Sequence, residues 1–321
     1  MPLITNANRR TRLALWSALP LLLAPASRAD LVAYWRFDEL GGTNAYAAAG
    51  GIDGVLQGGA VFVPGAGISG GAVRLDWGTD GFVSFGDHFM FMGSSFSVQI
   101  WIKTNPGEAN PMIPVGKHNT GYLDGYFLAI GDVQDGIGPS GNTKAHFYVS
   151  RPVTGPSAIA VNDGRWHQLV GVSNATNGTA QVFVDGTLQG TGSQTGVILN
   201  SVPFVVGGIS TGGVPSGTFR GLVDEVKLFD HALSTSEVLV LYLETPAPSL
   251  SITLTSPAQL QLSWNSVTNM NYQVQFARSL TGTVAWADLG NSISGLDPVT
   301  SASAELPDAA RFYRVVATPK P

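Results

Sequence analysis

Phe96-Ser97-Val98-Gln99-Ile100-Trp101-Ile102-Lys103 alternates without a break: one set of positions holds Phe, Val, Ile and Ile, the other Ser, Gln, Trp and Lys. Successive strand side chains point to opposite faces, so this stretch reads as a strand with one face in a core and a second face carrying polar and aromatic groups. Working outward, short apolar runs recur with Gly, Asn or Asp between them: Leu31–Phe37, Ala72–Asp76, Phe82–Phe85, Tyr126–Ile130, Ala145–Val149, Trp166–Val172, Ala180–Val184, Phe204–Val206 and Gly221–Phe229. Asp185-Gly186 closes one of them with a hairpin signal. Many short strands at even spacing predict an all-β fold, a sandwich or jelly roll.

Composition points the same way. The chain has 321 residues, 40 of them Gly, 12 % charged residues and no Cys. Glycine exceeds its usual share of about 7 % without a collagen period. The absence of cysteine excludes a disulfide framework. One helix is marked: Ser234-Thr235-Ser236-Glu237 is a capping box, and Val238, Leu241 and Tyr242 follow on one face. It should stop before Thr245-Pro246-Ala247-Pro248, a stiff linker over 245–249. Beyond it Gln259–Trp264, Asn271–Phe276 and Phe312–Ala317 alternate, which predicts a second, small β-sandwich over 250–321.

The front of the chain reads as a secretory signal over 1–29. Arg9, Arg10 and Arg12 precede an apolar run, Leu13–Ala26, and Ser27-Arg28-Ala29 supplies small residues before a cut after Ala29. The run is shorter than the roughly 20 apolar residues that span a bilayer. The expected product is therefore secreted, extracellular or periplasmic, with no membrane span in the mature chain. Residues 30–249 carry 9 basic and 18 acidic groups, whereas residues 250–321 carry four of each. With no basic patch to neutralise phosphates, nucleic acid is not an expected partner.

Several phrases together resemble the laminin G-like jellyroll domain of the concanavalin A-like lectin/glucanase superfamily. Val32-Ala33-Tyr34-Trp35-Arg36-Phe37-Asp38-Glu39 is similar to its opening strand, and Phe96–Lys103 to a strand with a central Trp. Trp166–Val170 and Val182–Gly186 resemble the paired strands that follow. Phe219–Phe229, with His231-Ala232-Leu233-Ser234 and the capped helix, resembles the closing phrase. The resemblance covers 30–244 and implies a concanavalin A-like jellyroll sandwich. The segment 250–321 is similar to fibronectin type III-like appendages.

The resemblance brings in glucanases, whose retaining chemistry needs two carboxyl groups about 5–5.5 Å apart. No Asp or Glu here is followed two residues later by another; Asp38-Glu39 and Asp224-Glu225 are adjacent and should point to opposite faces. Gly67-Ile68-Ser69-Gly70-Gly71 and Gly208-Ile209-Ser210-Thr211-Gly212 satisfy G-x-S-x-G, but neither sits between a parallel strand and a helix. The five histidines, His88, His118, His146, His167 and His231, lack zinc spacing. Many laminin G-like domains hold one structural calcium ion, and the resemblance makes Asp38, Asp53, Asp224 and Glu225 its candidate ligands. The family's acidic loop is here Ala47-Ala48-Ala49-Gly50-Gly51, without a carboxylate.

Sugar binding uses aromatic rings with a few polar groups. The candidates are Gln99 and Trp101 on the polar face of Phe96–Lys103, Tyr122 and Tyr126 as a loop platform, and Trp77 beside Asp76 and Asp80. Trp35, Trp166 and Trp264 read as core. The expected function is a secreted non-catalytic carbohydrate-binding or adhesion protein, its partners an extracellular glycan or surface proteins. A polysaccharide-cleaving hydrolase or lyase of the same superfamily and a structural coat or matrix protein stand as alternatives.

Overall fold

A computed structural model describes residues 31–106, 112–120, 124–131, 143–150, 154–194, 196–244, 250–266, 270–281, 284–296, 299–305 and 311–319. The chain divides into two compact units, one ending at Thr245 and the other beginning at Pro246.

The first unit is a sandwich of two large antiparallel sheets. In the nine-stranded sheet Phe96–Lys103 lies between Trp166–Asn174 and the closing strand Gly221–Phe229, which also pairs with the opening strand Leu31–Trp35. In the seven-stranded sheet the order runs Ala145–Val149, Tyr126–Ile130, Met112–Lys117, Val205–Val206, Phe82–Ser84, Gly54–Gln57, Asn44–Ala45. The alternation decides which face goes inward. Phe96, Val98, Ile100 and Ile102 from one sheet meet Tyr126, Leu128, Ile130, Ala145, Phe147 and Val149 from the other in one buried cluster. At about 25 cal/mol per Å² of apolar area removed from water, such a cluster is the main stabilising term. Trp35 sits at its centre, its ring 4.2 Å from that of Phe85 and its Nε1 donating to Ile52 O at 2.8 Å.

Met112–Lys117 is a strand that the alternation of the sequence does not announce, because Pro114 interrupts it. Proline tolerates a central position only where the ladder is irregular. The register shifts there, between the pairs Leu128↔Val115 and Ile130↔Met112.

The helix, Thr235–Glu244, forms as its cap predicts: Ser234 N donates to Glu237 Oε2 at 2.7 Å and Glu237 N to Ser234 Oγ at 3.3 Å. It buries Val238, Leu241 and Tyr242. Val238 and Leu241 join Val170, Val172, Phe183, Phe229 and Leu233 in a second apolar cluster, on the face of the nine-stranded sheet turned away from the main core.

The second unit is also all-β. One sheet orders Leu250–Ser256, Gln259–Asn265 and Val299–Glu305; in the other Met270–Ala277 pairs with Phe312–Pro319 on one side and with two short strands on the other. Trp264 is buried against Tyr272, as expected of a core residue.

Candidate functional site

The polar row of Phe96–Lys103 does not face solvent over Ser97, Gln99 and Trp101. Ser97, Gln99 and Trp101 are all buried, because the capped helix and its lead-in cover the row. Trp101 stacks on Tyr242 at 5.7 Å with planes 15° apart; Ser97 Oγ donates to His231 O and accepts Leu233 N; Gln99 Nε2 donates to Glu225 O at 3.2 Å. This corrects the expectation of a solvent-facing row at Gln99 and Trp101: alternation assigns a face, and a packed helix decides whether water reaches it.

Tyr126 is likewise core rather than platform. It is fully buried, its ring lies 4.6 Å from that of Phe96, and its hydroxyl donates to Phe89 O at 2.8 Å. Burial pushes the phenol's pKa well up. Tyr122 and the side chain of Trp77 lie outside the described residues; the backbone of Trp77 opens a single 3-10 turn, Trp77–Thr79.

The four acidic candidates separate into three tasks. Asp53 Oδ1 accepts Ala47 N at 2.9 Å and holds a short edge strand. Asp38 Oδ1 accepts Gly71 N at 2.7 Å, and Asp224 Oδ2 accepts Ser69 N at 3.1 Å, so carboxylates from the first and last strand regions pin the Gly67–Gly71 loop between them. Gly70 has φ +76°, and a Cβ there would fall 2.1 Å from Asp38 Oδ1; only glycine fits this close approach. Glu225 Oε2 accepts the Tyr34 hydroxyl at 2.5 Å and faces Lys227 Nζ at 3.7 Å.

Alternation also fails locally at Asp224-Glu225. Val223 and Val226, three residues apart, both enter the core, the register shifts between Asp224 and Lys227, and Glu225 has φ +51°. This bulge keeps the two carboxyl groups in each other's field, so the expectation of opposite faces does not hold. Burial first, then the charge of Glu225, raises Asp224 well above the ordinary carboxylate range; burial also raises Glu225, against the pull of Lys227. Both Asp224 oxygens already accept amides, from Ser69 and from Glu225. Among the described residues no group of three or more His, Asp or Glu is gathered to hold a metal ion. As placed, Asp38, Asp53 and Asp224 pin backbone amides and Glu225 pairs with Tyr34 and Lys227, an arrangement that does not fit a shared cation cage.

A different cluster forms on the outer face of the seven-stranded sheet. The alternate positions of Tyr126–Ile130 and Ala145–Val149 that do not enter the core are Phe127, Ala129, His146 and Tyr148. Register sets Phe127 opposite Tyr148 and Ala129 opposite His146. The Phe127 and Tyr148 rings stack at 4.4 Å with planes 9° apart, and His118 lies 4.8 Å from Phe127. Ile113 and Ile209 complete the apolar floor. Gly116, opposite Phe127, leaves room for it: a Cβ there would come within 2.6 Å of Phe127 Cβ. His118 is oriented by Asp124, its Nδ1 lying 2.7 Å from the main-chain oxygen and 3.1 Å from Oδ1, which also accepts Asn119 N. Phe127 is nearly covered, whereas Tyr148 and His118 keep partial access to water. A neighbouring ladder adds uncharged polar groups, Asn119 and Thr120 paired with Ser210 and Thr211.

Sequence reasoning named none of these rings as functional. The signal was present in the off-phase positions of two recognised strands, but only cross-strand register joins them.

Comparison with known proteins bears on this fold. Residues 77–239 match the family model of the concanavalin A-like lectin/glucanases superfamily. No curated protein matches. Among solved structures, the binding domain of Paraclostridial Mosquitocidal Protein 1 is similar at 12 % identity and TM-score 0.51, over 74 % of this chain and 64 % of that one. Domain 4 of an extracellular arabinanase from Geobacillus stearothermophilus, solved with arabinotriose, is 19 % identical at TM-score 0.48, over 66 % of this chain and 98 % of that one. Trypanosoma rangeli sialidase is 18 % identical at TM-score 0.47 over 68 % of this chain, which spans only 33 % of the sialidase's length. Likeness at these identities is a likeness of fold. No helix among the described residues is long and apolar enough to cross a membrane.

Proposed function

The chain belongs to the concanavalin A-like lectin/glucanases superfamily, and from that premise we propose that it is an exported carbohydrate-binding protein whose recognition surface is the outer face of the seven-stranded sheet. The observation that carries this reading is the stacked pair Phe127 and Tyr148, flanked by His118 and His146 and bordered by hydroxyl and amide side chains. Rings with a few convergent polar groups are what a sugar needs: apolar contact for its C–H face and partners for its hydroxyls.

Binding is favoured over cleavage by where the carboxylates stand. Among the described residues Asp124 is the carboxylate that touches this cluster, and it is engaged with His118 and Asn119. Asp224 and Glu225 are buried away from it, and Asp163 and Asp185 clamp His167. A glycosidase would bring two carboxyl groups to one sugar ring. The test is a glycan array with the full chain and with Tyr148→Ala. The expected outcome is a set of glycans bound by the first and weakened about tenfold or more in the second, a loss of about 1.4 kcal/mol. A blank array, or Tyr148→Ala binding as well as the original, overturns the reading. Release of reducing ends from a bound polymer would move the role to the hydrolase alternative.

A further inference from the structure

We infer that Gln99, Trp101 and Gln168 form an internal site for hydroxyl groups, enclosed between the nine-stranded sheet and the helix Thr235–Glu244. The site is separate from the glycan face proposed above and does not depend on it.

Register places the three side chains on one face. Gln168 lies directly opposite Trp101 on the neighbouring strand, and Gln99 stands two residues from Trp101 along its own. Directly opposed side chains have Cβ atoms about 4.5–5.5 Å apart and diagonal ones about 7–8 Å, so the polar ends of all three can reach one small space. All three residues are fully buried, and Tyr242 of the helix closes over Trp101. Gly186 lets that ring settle, since an added Cβ there would stand 3.0 Å from Tyr242 Cβ.

The chain itself satisfies Ser97 in the same row, whose Oγ donates to His231 O and accepts Leu233 N. It does not satisfy the other three. Gln99 is engaged at one end, Nε2 donating to Glu225 O, and its Oε1 has no partner in the chain; neither have Trp101 Nε1, Gln168 Oε1 and Gln168 Nε2. Buried polar groups are almost always paired, with protein or with an ordered small molecule, so four such atoms on two adjoining strands point to an occupant. Their chemistry says which kind. Trp101 Nε1–H and the Gln168 amide N–H call for acceptors, whereas Gln168 Oε1 and Gln99 Oε1 call for donors. An anion answers the first pair alone and a cation the second alone. A hydroxyl oxygen answers both and brings no charge into a buried place. Water and the hydroxyls of a small polyol share that chemistry.

The experiment is NMR on the full chain, reading the Trp101 indole proton and the Gln168 side-chain amide protons, each identified by its loss in Trp101→Phe or Gln168→Leu. With water as the occupant, both groups show a nuclear Overhauser contact to a slowly exchanging water in polyol-free buffer, and added glycerol leaves it unchanged. With a polyol as the occupant, glycerol shifts both signals saturably. Neither a water contact nor a glycerol shift would overturn the inference. Stability gives an independent sign. Gln168→Leu displaces the hydroxyl and strands Trp101 Nε1 and Gln99 Oε1, so its Tm should fall by roughly 2–4 °C. A Tm that is unchanged or raised would show that the amide lies buried without a partner, and the site would be withdrawn.

Discussion

The two outer faces of the sandwich are built from strands of the same kind and differ in what covers them. The outer face of the nine-stranded sheet carries Ser97, Gln99 and Trp101, all out of reach of water beneath the helix, and its strands hold Arg74, Lys103, Asp224, Glu225 and Lys227. Among the described residues no α-helix lies in the strands' connections on the seven-stranded sheet. Its outer face keeps Tyr148 and His118 partly open, and Lys117 is fully buried in a pair with Asp87. The side that looked like a binding row by residue type is interior. The side whose residues looked like core presents the rings. What distinguishes them is which face the C-terminal helix of the unit covers.

That contrast can be broken experimentally. The largest effect is expected from Trp101→Ala: removing a fully buried indole stacked on Tyr242 should cost about 3–5 kcal/mol of stability, read by denaturant unfolding. Glycan binding by the fraction that stays folded should not change. If Trp101→Ala abolished binding at full stability, the assignment of the two faces would be reversed.

Gly116→Ala comes next. The added methyl would meet Phe127 Cβ at 2.6 Å, so either the ladder or the ring must shift. Overpacking of this kind costs about 1–3 kcal/mol, and here it should weaken glycan binding as well, because Phe127 supports Tyr148. Unchanged affinity with lowered stability would show that the stacked pair is scaffold only.

Ser234→Ala loosens the cover of the opposite face. Losing the oxygen that accepts Glu237 N should cost about 1 kcal/mol, visible as a lower Tm, with glycan affinity unchanged.

The smallest effect is a pH dependence. His167 joins two turns of the nine-stranded sheet, its Nδ1 2.8 Å from Asp185 Oδ2 and its Nε2 3.1 Å from Asp163 Oδ1. Burial alone would lower its pKa, but the hydrogen bond and charge of Asp185, with Asp163, outweigh burial and raise it. A raised histidine contributes stability that is complete below its ordinary value of about 6.5 and is lost as pH climbs through the folded value. Asp163 works from the other side. Burial opposes its ionisation, yet the charge of His167 holds it below the ordinary range, so its share is lost as acid protonates it. Tm should therefore fall on moving from near-neutral to alkaline pH, and His167→Gln should flatten that limb. A Tm that does not fall would show that the clamp carries no net charge coupling.

Much of the fold was legible because it rests on local patterns. Phe96–Lys103, Tyr126–Ile130, Ala145–Val149 and Gly221–Phe229 occur as strands with the bounds that alternation gives them, and Ser234-Thr235-Ser236-Glu237 caps the helix as spacing says it must. Met112–Lys117 stayed hidden behind Pro114, and the Asp224-Glu225 bulge behind an assumed alternation. The candidate site was the less legible part. Tyr126 and Trp101 are aromatic and polar-flanked in sequence yet interior, whereas Phe127 and Tyr148, 21 residues apart in the chain, come together only because register aligns their two strands.

By itself, then, the sequence determined two all-β units, the strands and the capped helix of the first, an acidic field over residues 30–249 and the absence of cysteine. Each follows from properties carried by neighbouring residues: side-chain period, cap chemistry and charge. The tertiary structure decided which outer face is covered, where Lys117 spends its charge and that Phe127 meets Tyr148. Those depend on contacts between residues far apart in the chain, and burial and register exist only once the sheets have paired and the helix has docked.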